Sequence, residues 1–346
     1  MRRIAVEEHF ITREYMDYLR ARREYPKLES FQSEKGQTFW RLYYSRQEFR
    51  PWYGAGKLEQ LWDLGESRLK AMDQAGIGMQ ILSFNDNFDH LNAKDAALVS
   101  HQLNDALAAA IRLHPDRYAG LATLAPADPL DSARELERAV QVLGLKGAMI
   151  LPHVMGEFID DQKYWPIFGQ AAKLGVPIYI HPTYPSPERL QQYAGFPEMG
   201  AALWGHGAEA GLVSVRLICS GIFDEYPDLT IILGHLGEAL PFWMWRLDNR
   251  IQHPTHTTSP VKDKLRKLPG QYIRDNFYFS TSGMLSNPAL LCTLLAVGAD
   301  RILFAVDYPH ESNQDTLNFL EYAPISARDR EKIYHGNAEK LWKMDG

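Results

Sequence analysis

The chain has 346 residues, 45% of them hydrophobic and 23% charged, with a formal net charge of −6. That is ordinary globular composition, with apolar material enough for one large core. A nucleic-acid surface is excluded because no long basic run exists, and a membrane span because no apolar stretch has the required length.

Taken in chain order, the start Met1-Arg2-Arg3-Ile4-Ala5-Val6 is basic. Its apolar run stops at Glu7, too short for a signal-peptide core, so a soluble cytoplasmic protein is expected. Short β-rich runs follow at Ile4–Val6, Gln80–Phe84, Tyr118–Leu124, Gly147–Leu151, Pro177–Ile180, Thr230–Leu233, Tyr278–Ser280 and Ile302–Phe304. They are compact and mostly apolar, as strands buried on both faces of a parallel sheet should be. Between them lie helical patterns at Glu66–Ala75, Lys94–Leu113, Pro129–Leu143, Tyr164–Leu174, Glu209–Phe223, Ala239–Ile251, Pro288–Val297 and Ala327–His335. Asp128-Pro129 reads as an N-cap followed by proline in the first helical position. Gly76, Gly144, Gly175 and Gly298 sit just past helix ends. Eight alternating units predict an α/β fold, a distorted (β/α)8 TIM barrel spanning residues 1–346 as one domain. Cys219 and Cys292 lie far apart within apolar segments and predict buried small side chains, not a disulfide.

Two long insertions leave C-terminal strand ends, the face where barrel enzymes keep their chemistry. Residues 11–65, after the first strand, carry Phe39, Trp40, Tyr43, Tyr44, Phe49, Trp52 and Tyr53. Residues 183–207, after the fifth, carry Pro185, Pro187, Tyr193, Phe196 and Trp204. Their aromatic content argues against disorder and predicts pocket walls for a flat, apolar ligand, with 11–65 covering the mouth; oligomer contact is the alternative.

The polar residues gather at strand ends. Glu7, Glu8 and His9 follow the first strand, His181 the fifth, His235 the sixth and Asp307 the eighth. In a closed barrel these ends share one mouth, and alternation turns Glu7 and His9 to the same side with Glu8 away. Such a mixture of carboxylates and imidazoles suits a borderline divalent cation. Singly, each residue also has a dull explanation: His181-Pro182 as a structural pair, His235 as a helix cap, Asp307-Tyr308-Pro309 as a turn.

The set Glu7-Glu8-His9, His181-Pro182, Gly234-His235-Leu236-Gly237-Glu238 and Asp307-Tyr308-Pro309 resembles the amidohydrolase superfamily. It is similar, more narrowly, to the non-oxidative decarboxylase branch of γ-resorcylate, 2,3-dihydroxybenzoate and 5-carboxyvanillate decarboxylases. Aminocarboxymuconate semialdehyde decarboxylase is more distant. The segments 220–227, 232–238 and 244–248 carry the likeness most sharply.

The resemblance implies one divalent ion, Zn2+ or Mn2+, held by Glu7, His9, His181 and Asp307, with His181 also touching substrate. It implies His235 and Glu238 as a pair beside the reacting carbon, and Arg246 as a substrate-binding arginine that can serve a neighbouring subunit in a homodimer or homotetramer. The substrate would be a small ortho-hydroxy aromatic carboxylate, protonated on its carboxylated carbon by Asp307. Two departures stand out. His310 precedes Glu311 where close relatives carry an aromatic residue. The fourth strand ends Leu151-Pro152-His153, without the lysine that bridges two metals. His153, His206 and His310 are left without assigned roles. The rival readings are a lactone or amide hydrolase using the same ligands, and a barrel that binds without catalysing.

Overall fold

The computed structural model describes residues 2–43, 49–84, 90–253 and 260–344. Its parallel strands are Ile4–Phe10, Met79–Phe84, a third in two pieces (Tyr118–Gly120 and Ala122–Thr123), Ala148–Ile150, Ile178–Ile180, Ile231–Leu233, Phe277–Ser280 and Ile302–Leu303. Successive strands pair in order around the ring. The third strand divides at Leu121, its first piece pairing back to the second strand and its second piece forward to the fourth. Closure comes where Glu8 bridges Tyr308 in parallel. There the Val6 amide donates to the Phe304 carbonyl at 3.0 Å, and the Asp307 amide to the Glu7 carbonyl at 3.0 Å. The (β/α)8 expectation is met.

Alternation divides the core in two. Ile4, Val6, Ile81, Leu121, Tyr179 and Ile232 fill the barrel, and Trp342 of the last helix closes its floor. Ala5, Leu82, Ile180, Leu233 and Phe279 face outward and pack under the helices. The first strand is longer than its sequence pattern predicts, because Glu7, Glu8 and His9 belong to it and do not merely follow it. A β-bulge interrupts its register between Ala5 and Glu8. Bulges turn a strand's side chains. Here the bulge reverses the phase set by inward Ile4 and Val6, so Glu7 and His9 face inward and Glu8 outward.

Outward Glu8 is fully buried and works as the clasp of the ring. Its Oε1 accepts the Val306 amide at 2.9 Å, and its Oε2 accepts the Tyr308 amide at 3.3 Å and Gln80 Nε2 at 3.2 Å. Arg68, reaching in from the helix Glu66–Gln74, donates to Gln80 Oε1 and to the His9 carbonyl, both at 2.7 Å.

Several helix limits differ from the pattern. The expected helix at Glu209–Phe223 starts earlier, at Gly205, and stops at Ser220, where Gly221 turns left-handed at φ +86°. Gly207 reads as a breaker in sequence. In the fold it lets the helix approach the sixth-strand turn, since a Cβ there would lie 2.6 Å from Glu238 Oε2. The helix Asn313–Tyr322 was not anticipated; its polar first turn, capped by Ser312, hides its periodicity. Beyond it, Ala327–His335 proves to be a helix Ala327–Glu331, a π turn Lys332–Gly336 and a helix Asn337–Trp342.

The first insertion has structure of its own. It holds a helix Arg13–Ala21, antiparallel strands Lys27–Gln32, Thr38–Tyr43 and Phe49–Gly54, and a helix Ala55–Trp62. Tyr44, and the side chains of Phe49, Trp52 and Tyr53, lie outside the described residues. Among the described residues no helix is long and apolar enough to cross a membrane. Both cysteines are free thiols, half-buried where full burial was expected.

Replacing Glu8 by alanine strands two amides of the eighth strand and removes the buried carboxyl that holds Gln80, the partner of Arg68. Urea unfolding should show a loss of about 3–5 kcal/mol, the cost of breaking a buried charged network. A loss within experimental error would show that the clasp does not hold the ring.

Candidate active site

The bulged strand delivers Glu7 and His9 side by side into the top of the barrel. Glu7 Oε2 accepts hydrogen bonds from the Tyr179 hydroxyl and from Ser280 Oγ, the latter at 3.1 Å. Its other oxygen, Oε1, is buried without a hydrogen-bond partner and lies 3.7 Å from His181 Nε2. His9 Nδ1 meets Ser83 Oγ at 3.2 Å, which turns Nε2 toward the cavity. That nitrogen, too, is buried without a hydrogen bond, 3.0 Å from Asp307 Oδ1, another orphan. Three polar atoms, buried, adjacent and unsatisfied, form an arrangement that native proteins seldom leave alone. A divalent cation is the kind of group that satisfies such atoms.

Facing ligand atoms form two overlapping groups, Glu7 with His9 and His181, and His9 with Asp307 and His310. In each, the atoms lie within 4.8 Å of one another. The sequence left His310 unassigned, and the fold brings it into the cluster, its ring 5.4 Å from that of His9. Asp307 has φ +75°, and His235, Leu236, Glu238 and Ala239 also lie in the left-handed region. Non-glycine residues there are strained, and such strain gathers at functional sites. His235 Nδ1 pairs with Glu238 Oε1 at 2.7 Å while its Nε2 lies 4.0 Å from Asp307 Oδ2. Gly283, at φ +59°, makes room for this ring, because a Cβ there would come within 2.7 Å of His235 Cδ2.

Electrostatics divides the cluster. Burial holds the imidazoles of His9, His181 and His310 far down, at about 4, 3 and 2, with neighbouring imidazoles adding to the effect at His181 and His310. These rings are therefore neutral at neutral pH, the form that ligates metals. Burial works against a charge on His235 as well, but the Glu238 carboxylate, with Glu7 and Asp307 beyond it, lifts that ring to about 10. Burial would raise the Glu7 carboxyl, yet the three nearby imidazoles of His235, His181 and His9 bring it below its ordinary value. Burial, and then the Glu7 charge, push Asp307 well above its own.

These groups open on a cavity of about 860 Å³ whose lining includes His181, His235, Glu238, Asp307 and His310. The second insertion supplies Tyr184, Leu203, Trp204 and His206 to its wall, and the helix Leu240–Gln252 supplies Trp243 and Leu247. Arg246 lies exposed on that helix, its guanidinium 6.0 Å from the Trp243 ring, outside the lining of its own chain's cavity. His153 is buried behind the wall and does not line it. No described residue of 11–65 lines the cavity, but Lys57 donates to the Pro309 carbonyl and places its charge near Asp307 and His310. No pattern in the sequence points to Lys57. Tyr179 had a signal that was overlooked: a tyrosine in an apolar strand must find a partner for its hydroxyl.

The amidohydrolase family profile matches residues 56–344. The chain belongs to the amidohydrolase family. Among its relatives is the γ-resorcylate decarboxylase of Polaromonas sp. strain JS666, 37% identical over 297 residues, covering 83% of this chain and 89% of that one. In structure it resembles 5-carboxyvanillate decarboxylase from Sphingomonas paucimobilis, with TM-score 0.87, 32% identity and 99% of each chain covered. It also resembles a dihydroxybenzoic acid decarboxylase from the same Polaromonas strain, solved with manganese and the inhibitor 2-nitroresorcinol. There the TM-score is 0.84 and the identity 33%, over 99% of this chain and 97% of that one.

In this family member the charge on His235 is owed first to Glu238, ahead of Glu7 and Asp307. Glu238→Gln removes the largest upward pull and leaves the burial, so the His235 pKa should fall from about 10 toward the ordinary histidine value of about 6.5. An imidazole NMR titration measures this directly. A His235 still protonated above pH 8 in the variant would show that Glu238 is not the cause.

Proposed function

We propose that this chain is a metal-dependent, non-oxidative decarboxylase of ortho-hydroxy aromatic carboxylic acids, yielding a phenol and carbon dioxide. One observation carries the reading: beside the His235–Glu238 pair, the unsatisfied buried atoms of His9 and Asp307 face each other and that of Glu7 faces His181. Glu7, His9, His181 and Asp307 would hold a single Zn2+ or Mn2+, since mixed nitrogen and oxygen donors suit both. The manganese in the Polaromonas neighbour favours Mn2+. When bound, the ion would supply Lewis-acid stabilisation of a chelated carboxylate and phenolate.

The chain's own groups then handle the proton. Asp307, whose Oδ2 lies 4.0 Å from His235 Nε2, is the proposed proton donor. Its carboxyl donates to the ring carbon that bears the carboxylate, forming a C–H bond. The C–C bond breaks next, its electron pair returns to the ring, and carbon dioxide leaves. The His235 imidazolium, 4.0 Å from Asp307 Oδ2, restores the proton, then takes one back from solvent, a reprotonation that the Glu238 carboxylate favours. The apolar walls at Leu203, Trp204 and Trp243 would take the face of the aromatic ring.

The working unit is proposed to be a homodimer, or a homotetramer built from it, acting in the cytoplasm, where the two free thiols suit a reducing compartment. Phe242, Trp243 and Trp245 project from one helix beside the cavity, Phe242 and Trp245 more than 70% exposed at 73% and 72%. A patch of that kind marks an interface. Arg246 stands among these residues and would reach the partner's cavity.

Purified protein should carry one zinc or manganese per chain, evolve carbon dioxide from 2,6-dihydroxybenzoate, and lose both properties on chelation. Asp307→Asn should lower turnover by about 10²–10⁴-fold, the usual worth of a positioned acid, with ligand affinity kept within about tenfold. Lactone or amide hydrolysis without carbon dioxide would replace this reading by that of a hydrolase. For the assembly, Trp245→Glu should halve the mass seen by light scattering, and an unchanged mass would move the interface elsewhere.

A further inference from the structure

Behind the cavity wall runs a closed ring of contacts that the chemistry above does not use. It starts at His153, in a short hairpin of His153–Val154 and Glu157–Phe158 that follows the fourth barrel strand. The Gly156 amide donates to His153 Nδ1 at 3.2 Å. The ring proton therefore sits on Nε2, which donates to the Tyr184 carbonyl at 2.9 Å. The Tyr184 ring meets the His206 ring edge-on, centroids 4.7 Å apart, and both rings line the cavity. His206 lies in the first turn of the helix Gly205–Ser220. One turn along that helix, buried Glu209 takes a forked pair from Arg189, at 3.0 and 2.6 Å. Arg189 also donates to the Gly156 carbonyl at 3.2 Å, which returns the circuit to the hairpin.

Two further contacts stiffen the circuit. Phe158 has the guanidinium of Arg189 4.4 Å and that of Arg216 4.5 Å from its ring centroid. Gly156, at φ +89°, packs so closely on the fifth-strand loop that a Cβ would come 2.8 Å from that of Ser186. Burying a forked ion pair and a bonded imidazole adds little net stability. What such a network does is fix geometry. A long surface loop otherwise has many accessible positions, and this circuit leaves one for the two rings that face the ligand.

We propose that His153, together with the Arg189–Glu209 pair, is a positioning device that sets Tyr184 and His206 against the ligand and so determines which planar acids the cavity accepts. The proposal rests on the aromatic-acid reading of the cavity given above. His153 itself touches no ligand.

Three variants separate this role from a merely structural one. His153→Leu deletes both hydrogen bonds at similar size, His153→Gln keeps a donor near the Tyr184 carbonyl, and Arg189→Lys keeps charge but loses the fork. The probes are 2-nitroresorcinol for affinity by calorimetry and 2,6-dihydroxybenzoate for KM and kcat, with bound metal assayed alongside. His153→Leu and Arg189→Lys should raise Kd and KM about tenfold, or about 1.4 kcal/mol. kcat should stay within about threefold and metal content should not change, while His153→Gln recovers much of the affinity. Unchanged Kd and KM, or a loss of kcat together with metal, would overturn the proposal. Should His153→Leu not fold, the other two variants carry the same comparison. A crystal structure of a folded variant reads the brace without turnover. A Tyr184 ring moved by about 1 Å, a shift large enough to matter for a bound ligand, supports it, and an unmoved ring overturns it. A wild-type protein that neither binds 2-nitroresorcinol nor evolves carbon dioxide would instead sink the aromatic-acid reading, leaving the brace to be judged on that displacement.

Discussion

Everything at the mouth of this barrel depends on how its first and last strands are joined. The joint is made by a carboxylate as well as by the usual ladder, since Glu8 accepts the amides of Val306 and Tyr308 from the outer side. Between those amides and just beyond them lie Asp307 and His310, and on either side of Glu8 lie Glu7 and His9. One buried side chain therefore sets the spacing of the inward groups on both strands. Arg68 adds to this by donating to the His9 carbonyl, which holds the backbone of one inward residue directly. A barrel closed by backbone bonds alone could slide by a register step. With Glu8 in place, a slide would strand a buried carboxyl and two buried amides, each costly to leave unpaired.

The inward groups pose the opposite problem, because two carboxylates and several imidazoles crowd one end of the barrel, Glu7 and His9 among them fully buried. Part of the answer lies in the serines of the seventh strand. Ser280 Oγ joins Glu7 Oε2 to Ser282 Oγ, and Ser282 Oγ accepts the His235 amide at 3.2 Å. The same hydroxyl line thus orients Glu7 and anchors the turn that carries His235. What it leaves unsatisfied is confined to the atoms pointing toward the cluster's centre. Glu7 and His9 thus have partners behind them and none in front, the pattern expected where outer contacts orient the donors of a metal.

Much of this was legible from the residues alone, and for definable reasons. The strands were visible because both faces are buried, which gives short continuous apolar runs. The convergence of Glu7, His9, His181, His235 and Asp307 followed from their places at strand ends in a closed ring. The bulge was not legible. Continued strictly from inward Ile4 and Val6, alternation would send Glu8 into the barrel and Glu7 and His9 out. Local alternation among the three polar residues gave the right grouping, but only the irregularity in pairing supplies the right face. Contributions from outside the βα pattern were also hidden. Lys57 belongs to an insertion, and the role of His310 depends on the path of a loop that no periodicity encodes. The order of 11–65 was legible in its aromatic content, but its strands were not, because antiparallel strands with mixed burial do not give compact apolar runs.

The site is divided between two kinds of support. Its floor, made of Glu7, His9, His181 and Asp307, stands on barrel strands or their ends and is tied to the core through Tyr179, Ser280 and Glu8. Its walls stand on the loop after the fifth strand and on the helix Leu240–Gln252, and the loop is braced sideways, from the His153 hairpin through Arg189 to Glu209. Changes in the walls can therefore alter the shape of the cavity while the cluster below keeps its spacing. Substitutions that couple weakly across distance add nearly independently, so a fold arranged in this way can change its ligand without rebuilding its chemistry. The mixed likeness to decarboxylases named for different ring acids, at similar identity and TM-score, is what that separation would produce.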